Sequence, residues 1–166
     1  MYQTLQQFLD DWKHESSLTL NVLTNLTDSS LGQTVTETKG RSLGELAWHL
    51  ATSVTGMLNA GGLQFEGPGG SAPAPSHAQD IVQGYRQASE AASAALQEQW
   101  TDAKLSEPLL LFGRIQTTHA GLLTLVVRHQ IHHRGQMTIL MRQADLVPPG
   151  VYGPNEEEGA AIRAGK

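Results

Sequence analysis

The chain contains no cysteine. Disulfides, thiolate nucleophiles and thiolate metal ligands are therefore excluded together, and any metal must take nitrogen or oxygen donors. Positive charge is scarce as well: Lys and Arg number 11 against 16 Asp and Glu, for a formal net charge of −5. Such a molecule repels phosphate backbones, and no basic stripe with interleaved aromatics offsets the repulsion, so nucleic acid is not an expected partner. Long apolar runs are missing. The longest, "AGLLTLVV", falls far short of the roughly 20 residues a spanning helix needs. The opening "MYQTLQQFLDDWKH" has no basic segment followed by an apolar core, so no secretion signal is expected. These readings predict a cytoplasmic protein without a membrane partner. Strand-like alternation and internal repeats are not evident either. What remains is 166 residues, 39% hydrophobic and 16% charged, a composition that folds around a single core.

Helical periodicity organises that core. A first helix is expected from about Thr4 to Leu26, with Leu5, Phe8, Leu9, Trp12, Leu20, Leu23 and Leu26 at steps of three and four. The polar connector "TDSSLGQTVTETKGR" ends at "SLGE", where Ser42 and Glu45 can form a capping box. A second helix should therefore run from Leu43 to about Ala60, with Gly61 and Gly62 suited to its C-terminal cap. The Gly- and Pro-dense "LQFEGPGGSAPAPS" is a loop. A second capping box, Ser76 with Gln79, predicts a third helix reaching about Trp100, with Ile81, Tyr85, Ala88, Ala92, Ala95 and Leu96 inward. After an irregular stretch with a short extended piece around Leu109 to Phe112, the last helix begins near Thr118. It runs to about Leu146, ahead of Pro148 and Pro149. Four amphipathic helices indicate an all-α helical bundle over residues 1–146. The Gly-, Pro- and Glu-rich tail, residues 147–166, is expected to be packed on the surface or disordered.

Within the last helix, "RHQIHH" places three histidines close together. Helical phase divides them. The line Leu122, Val126, His129, His133, Met137, Leu140, Ala144 is apolar except for His129 and His133, whereas His132 shares a mixed line with Leu125, Arg128, Gln136 and Ile139. Histidines at i and i+4 stand about 5 to 6 Å apart at Cβ, close enough for one ion to bridge them, while His132 at i+3 from His129 is the weaker pairing. Two ligands alone bind weakly, and a catalytic site usually adds a third and leaves one position open. His49, beside the Leu46, Leu50, Val54 line of the second helix, is the candidate third ligand. A three-histidine set suits Zn²⁺, Ni²⁺, Fe²⁺ or Co²⁺ without choosing among them. The bland alternative makes all three hydrogen-bonded core residues with no metal. His119, His14 and His77 read as interface or surface residues, Trp48 as a packing residue, and Arg134 as a salt-bridge or surface residue. The loop 61–75 and the tail around Tyr152 are candidates to shape the mouth of a pocket.

In "RSLGELAWHLA" (41–51), "RHQIHHRGQMTILMRQ" (128–143) and "GVYGPNEEE" (150–158) the chain resembles the DinB-like family, also called the DinB/YfiT superfamily. The paired motifs, a histidine in the second helix and HxxxH in the last some eighty residues on, are specific as a set. With the helix order, the resemblance covers essentially the whole chain. It implies an up-down-down-up four-helix bundle, often dimeric, with a divalent metal on His49, His129 and His133. Zn or Ni leads the metals it suggests, with Fe, Co or Mn as alternatives. Some relatives are thiol-dependent transferases or isomerases using bacillithiol or mycothiol, and others look like metal-dependent hydrolases. The expected partner is a small-molecule substrate, with a low-molecular-weight thiol as cosubstrate and His132 as a supporting group or proton relay. A non-catalytic metal-binding or dimerising bundle, related to stress, is the competing expectation.

Overall fold

The computed structural model describes residues 1–36 and 40–165. It is mostly helical: α1 (Leu5–Leu23), a short 3₁₀ turn (Asp28–Ser30), α2 (Leu43–Ala60), α3 (Ala78–Gln99), α4 (Asp102–Leu105), β1 (Pro108–Leu111), β2 (Ile115–Thr118), α5 (His119–Gln143) and α6 (Glu156–Arg163). Helices α1 and α2 each pack against both α3 and α5, so the apolar stripes of all four meet in one core. Phe8, Trp12, Leu23, Leu50, Val54, Tyr85, Leu96, Leu122 and Val126 are completely or almost completely buried there.

Capping chemistry sets most of the helix ends. Thr4 accepts from the Gln7 N–H, and Gln7 accepts in return from the Thr4 N–H, which starts α1 one residue later than Thr4 itself. Helix α1 ends at Leu23 rather than Leu26, because Asn25 and Leu26 donate to carbonyls three residues back, Val22 and Leu23, tightening the last turn. Leu26 remains buried all the same. The Ser42–Glu45 capping box opens α2 at Leu43 as expected. Gly62, at φ +92°, closes it, with Leu63 N–H donating to the Leu58 carbonyl at 3.1 Å.

The expected Ser76–Gln79 box does not form. Helix α3 starts later, at Ala78, and its first N–H is satisfied from outside: Asp28 Oδ1 accepts from Ala78 N at 2.7 Å, while Asp28 Oδ2 pairs with His77 Nδ1 at 2.9 Å. A carboxylate from the 3₁₀ turn thus replaces a local cap. Helix α5 stops at Gln143, short of Leu146. Asp145 takes the left-handed conformation at φ +57°, and Leu146 N–H donates to the Met141 carbonyl at 2.9 Å, so the helix is closed before the prolines are reached.

The extended piece anticipated near Leu109 is a strand with a partner. β1 and β2 form an antiparallel hairpin in which Leu109 faces Thr117 and Leu111 faces Ile115. The purely helical expectation is corrected accordingly. Leu111 is buried and anchors the hairpin to the core, whereas Leu110, Phe112 and Ile115 are exposed.

His119 is also corrected. It is buried, not at the surface: its ring stands edge-on to Trp100 with centroids 4.9 Å apart, and Nδ1 lies 3.0 Å from the Glu107 carbonyl. The Glu107 carbonyl gives the imidazole a polar partner, so it can be buried against Trp100 without losing a hydrogen bond. In the tail, Asn155 and Glu158 form a capping box that starts α6, and Arg142 of α5 holds Glu157 at 2.5 Å. Among the described residues no helix is long and apolar enough to cross a membrane.

Candidate metal centre

Two polar side chains on α5 fix how it meets its neighbours around the histidines. Gln130, buried, sends Nε2 to the Leu50 carbonyl of α2 at 3.3 Å and to Ser53 Oγ at 3.4 Å. Arg134, also buried, reaches α1. Its guanidinium donates to the Glu15 carboxylate at 2.6 Å, to the Glu15 carbonyl at 3.0 Å and to Thr19 Oγ1 at 3.0 Å. The hydroxyl of Tyr152, from the tail, contacts both Glu15 and Arg134. Gln130 and Arg134 sit one residue after His129 and His133, so each histidine is placed by a buried polar tie to a different helix.

With α5 held in this phase, the rings of His129 and His133 are carried to His49 on α2. His49 Nε2 lies 3.2 Å from His129 Nε2, and His133 Nε2 lies 3.2 Å from the same atom. One ligand nitrogen from each residue lies within 4.8 Å of the other two. All three residues are half-buried. His132 is exposed, and its ring lies beside that of His133, with centroids 4.9 Å apart, outside the group of three. Among the described residues no other histidine, aspartate or glutamate joins the cluster.

The cluster is a poor hydrogen-bond network. His129 Nε2 carries either one proton or one lone pair, so it can serve only one of its two 3.2 Å contacts. Its Nδ1 is buried and has no hydrogen-bond partner among the described residues. Three lone pairs aimed at a common point would need a cation between them. Tetrahedral Zn–N bonds of about 2.0 to 2.1 Å place ligand nitrogens about 3.3 Å apart, close to the two 3.2 Å separations that His129 Nε2 makes. The donor set thus fits a divalent ion, and the three histidines could hold one.

Electrostatics keeps those lone pairs free. Burial pushes the pKa of His49 down to about 4, with the positive charge of Arg41 and the neighbouring His133 adding to the effect. Burial likewise lowers His129 to about 4, helped by His133, His49, His132 and Arg41. His133 is lowered by burial against the opposing influence of Gln136, whose Oε1 lies 2.7 Å from His133 Nδ1. The neutral form of each is favoured at pH 7, which leaves Nε2 able to act as a ligand. The Gln136 contact orients the His133 ring and assigns its Nδ1 the proton.

Two open cavities border the cluster. A volume of about 210 Å³ is lined by His49, Arg41, Thr52 and loop residues from Gly70 to Ala74, so the Gly/Pro-rich loop does reach the site. A larger one of about 450 Å³ is lined by His133, Gln136, Arg41, Leu46, Ile139 and Leu140. Tyr152 lines neither, being held at the Glu15–Arg134 pair instead. Trp48 does pack, as read: a Cβ on Gly84 of α3 would come within 2.5 Å of its ring, so the glycine lets α3 and the indole meet. Sequence reasoning missed Gln136 and Arg41. The first was detectable as i+3 from His133. The second stands outside any helix, where periodicity says nothing.

Comparisons with known proteins agree with this architecture. The family model described as "DinB family" matches residues 1–164. The Bacillus subtilis (strain 168) protein YrdA is 44% identical over 160 residues, covering 96% of this chain and 95% of that protein. A crystal structure of a DinB-like protein from Bacillus cereus ATCC 10987 has 42% sequence identity and a TM-score of 0.87, covering 92% of this chain and all of the other. A DinB-like protein of Bacillus subtilis, YjoA, has the same fold at 21% identity, with a TM-score of 0.68 over 90% of this chain and 99% of its own.

Proposed function

The chain belongs to the DinB family, and on that premise we propose that it is a metal-dependent enzyme whose His49, His129 and His133 hold one divalent ion, Zn²⁺ or Ni²⁺ before Fe²⁺, Co²⁺ or Mn²⁺. The observation that carries this reading is the convergence of the three Nε2 atoms, with one nitrogen shared between two 3.2 Å contacts that it cannot satisfy by hydrogen bonding. When bound, such an ion lowers the pKa of a water or thiol placed beside it and so supplies a nucleophile near neutral pH. The protein's own part is positional. Gln130 and Arg134 lock the phase of α5, Gln136 fixes the tautomer and orientation of His133, and burial keeps His49 and His129 unprotonated.

The reaction we infer is hydrolysis or transfer to a low-molecular-weight thiol, acting on a small molecule. The absence of a fourth histidine or carboxylate among the described residues, together with the bordering cavities, favours a catalytic site over a closed structural one. His132, beside His133 and exposed, is placed to support that ring or pass protons to solvent. The same proposal takes α1, α2, α3 and α5 as an up-down-down-up four-helix bundle spanning residues 1–146 with a tail at 147–166. It also takes the protein as a cytoplasmic homodimer without nucleic acid or membrane partners.

The test is elemental analysis of protein purified without an affinity tag or added metal, joined to a screen of hydrolytic and thiol-transfer substrates before and after chelation. About one equivalent of transition metal per chain, and turnover that chelation abolishes and metal restores, is the expected result. Protein free of transition metal that also fails to bind Zn²⁺ or Ni²⁺ on addition would overturn the reading.

A further inference from the structure

We propose that the groove beside the three histidines binds a small amphipathic carboxylate, with Arg41 taking the carboxylate and Leu46, Ile139 and Leu140 taking the apolar body. The inference rests on the reading of the cluster as a metal centre and names the class of molecule presented to it.

Arg41 lies one residue before Ser42, the N-cap of α2, and lines both cavities that border the cluster. Arg41 thus shares one cavity with His49 and the other with His133. Among the described residues its guanidinium has no ion-pair partner and makes no hydrogen bond.

Arg41 is exposed, so solvent screens much of its charge, and its guanidinium is open to an anion entering either cavity. Three neutral imidazoles contribute no negative charge, so a resident dication would keep its full charge, and a guanidinium nearby would repel it. Glu45, whose Oε2 accepts from the Ser42 N–H at 2.7 Å, brings a negative charge to the smaller cavity only; among the described residues no carboxylate lines the larger one beside Arg41. In the larger cavity the counter-charge is one that a ligand can bring. A guanidinium presents a planar fork that matches a carboxylate with two parallel hydrogen bonds. Arg41 is the sole lysine or arginine lining either cavity among the described residues, which suits a singly charged head better than a phosphate.

The body of the ligand follows from the larger cavity. Its volume of about 450 Å³ falls in the range of small-molecule sites, roughly 300 to 1,000 Å³. Ile139 is 61% exposed at its edge although α5 has a core to bury it in, while Leu46 and Leu140 form a buried floor. An aliphatic or aromatic group laid on these side chains would leave the carboxylate at Arg41 and the adjoining bond near His133.

The experiment is calorimetric titration of the protein as purified with octanoate, octanamide, acetate and octyl phosphate, repeated on Arg41→Ala and Ile139→Ser. Wild type should bind octanoate at least ten times more tightly than octanamide, acetate or octyl phosphate. Arg41→Ala should weaken octanoate by about 10- to 100-fold, the range for a hydrogen bond to a charged group, and leave octanamide unchanged. Ile139→Ser should weaken octanoate and octanamide alike. Absence of octanoate binding, equal affinity for octanamide, preference for octyl phosphate, or an unchanged octanoate affinity in Arg41→Ala would each overturn the proposal; the last would mean that the carboxylate is held by the metal alone. Metal content measured on the same samples separates the two claims. Bound metal with Arg41-independent binding defeats this inference only, whereas protein that is metal-free and also fails to bind Zn²⁺ or Ni²⁺ on addition defeats the metal centre and still leaves the Arg41→Ala comparison to decide the groove.

Discussion

Arg134 and Glu15 form an ion pair at 2.6 Å between α5 and α1, with side chains only 2% and 6% exposed. Two buried charges are stable together because each satisfies the other and the remaining donors find the Glu15 carbonyl and Thr19 Oγ1. Removing one partner strands the other. Glu15→Ala is expected to destabilise the protein by about 3 to 5 kcal/mol, lowering the melting temperature by roughly 6 to 20 °C for a chain of this size. The double variant Glu15→Met with Arg134→Met should recover most of that loss, since no uncompensated charge remains. Thermal denaturation followed by circular dichroism reads both, and a double variant no better than Glu15→Ala would refute the account.

The ligand assignment makes a graded prediction. His49→Ala, His129→Ala and His133→Ala should each lose metal. His132→Ala should keep it, because the His132 ring lies outside the cluster of three. Elemental analysis after gel filtration provides the readout. Metal retained by His129→Ala, whose Nε2 is central to both short contacts, is the outcome that would sink the assignment most directly.

Acid should weaken the metal-free protein in a defined window. His49 and His129 have folded-state pKa values of about 4 against 6.5 for the free side chain. Between those values the unfolded chain binds more protons than the folded one, so stability rises with pH across the window and falls as pH drops through it. The melting temperature of chelator-treated protein should therefore decline from pH 6.5 toward pH 4, beyond the decline of a His49→Ala/His129→Ala double variant. Parallel curves for the two proteins would show that these imidazoles do not carry the effect.

Much of the three-histidine grouping is legible in the sequence. A period of 3.6 separates His129 and His133 from His132, and the Ser42–Glu45 box sets the phase of α2 and with it the direction of His49. These are local rules acting on long helices. What stayed hidden depended on contacts between distant segments. Asp28 caps α3 from fifty residues away, and Glu15 sits buried in α1 because Arg134 arrives from α5. A stripe read from apolar residues alone passes over both. β2 has no apolar alternation in its "IQTT" to announce it, and none of its four residues is buried. His119 was misplaced for a related reason, since its partner is a backbone carbonyl of Glu107 that only the hairpin brings near.

Gln136 gives the sharpest test of how the surrounding residues tune the centre. Its Oε1 lies 2.7 Å from His133 Nδ1, and since an amide oxygen can only accept, Nδ1 must carry the proton and Nε2 must present the lone pair. Gln136 itself is exposed and contributes little to the core, so its replacement should leave folding intact. Gln136→Ala is expected to weaken metal affinity by about 10- to 100-fold, the usual effect of losing such a supporting partner, with a melting temperature of the metal-free protein within experimental error of wild type. Gln136→Glu should restore affinity or exceed it, because a carboxylate accepts the same N–H more strongly and adds negative charge near the ion. Competition titrations with a chromophoric chelator would measure all three. Wild-type affinity in Gln136→Ala would show that the His133 ring is held by α5 packing alone, and that the 2.7 Å contact has no part in setting its tautomer.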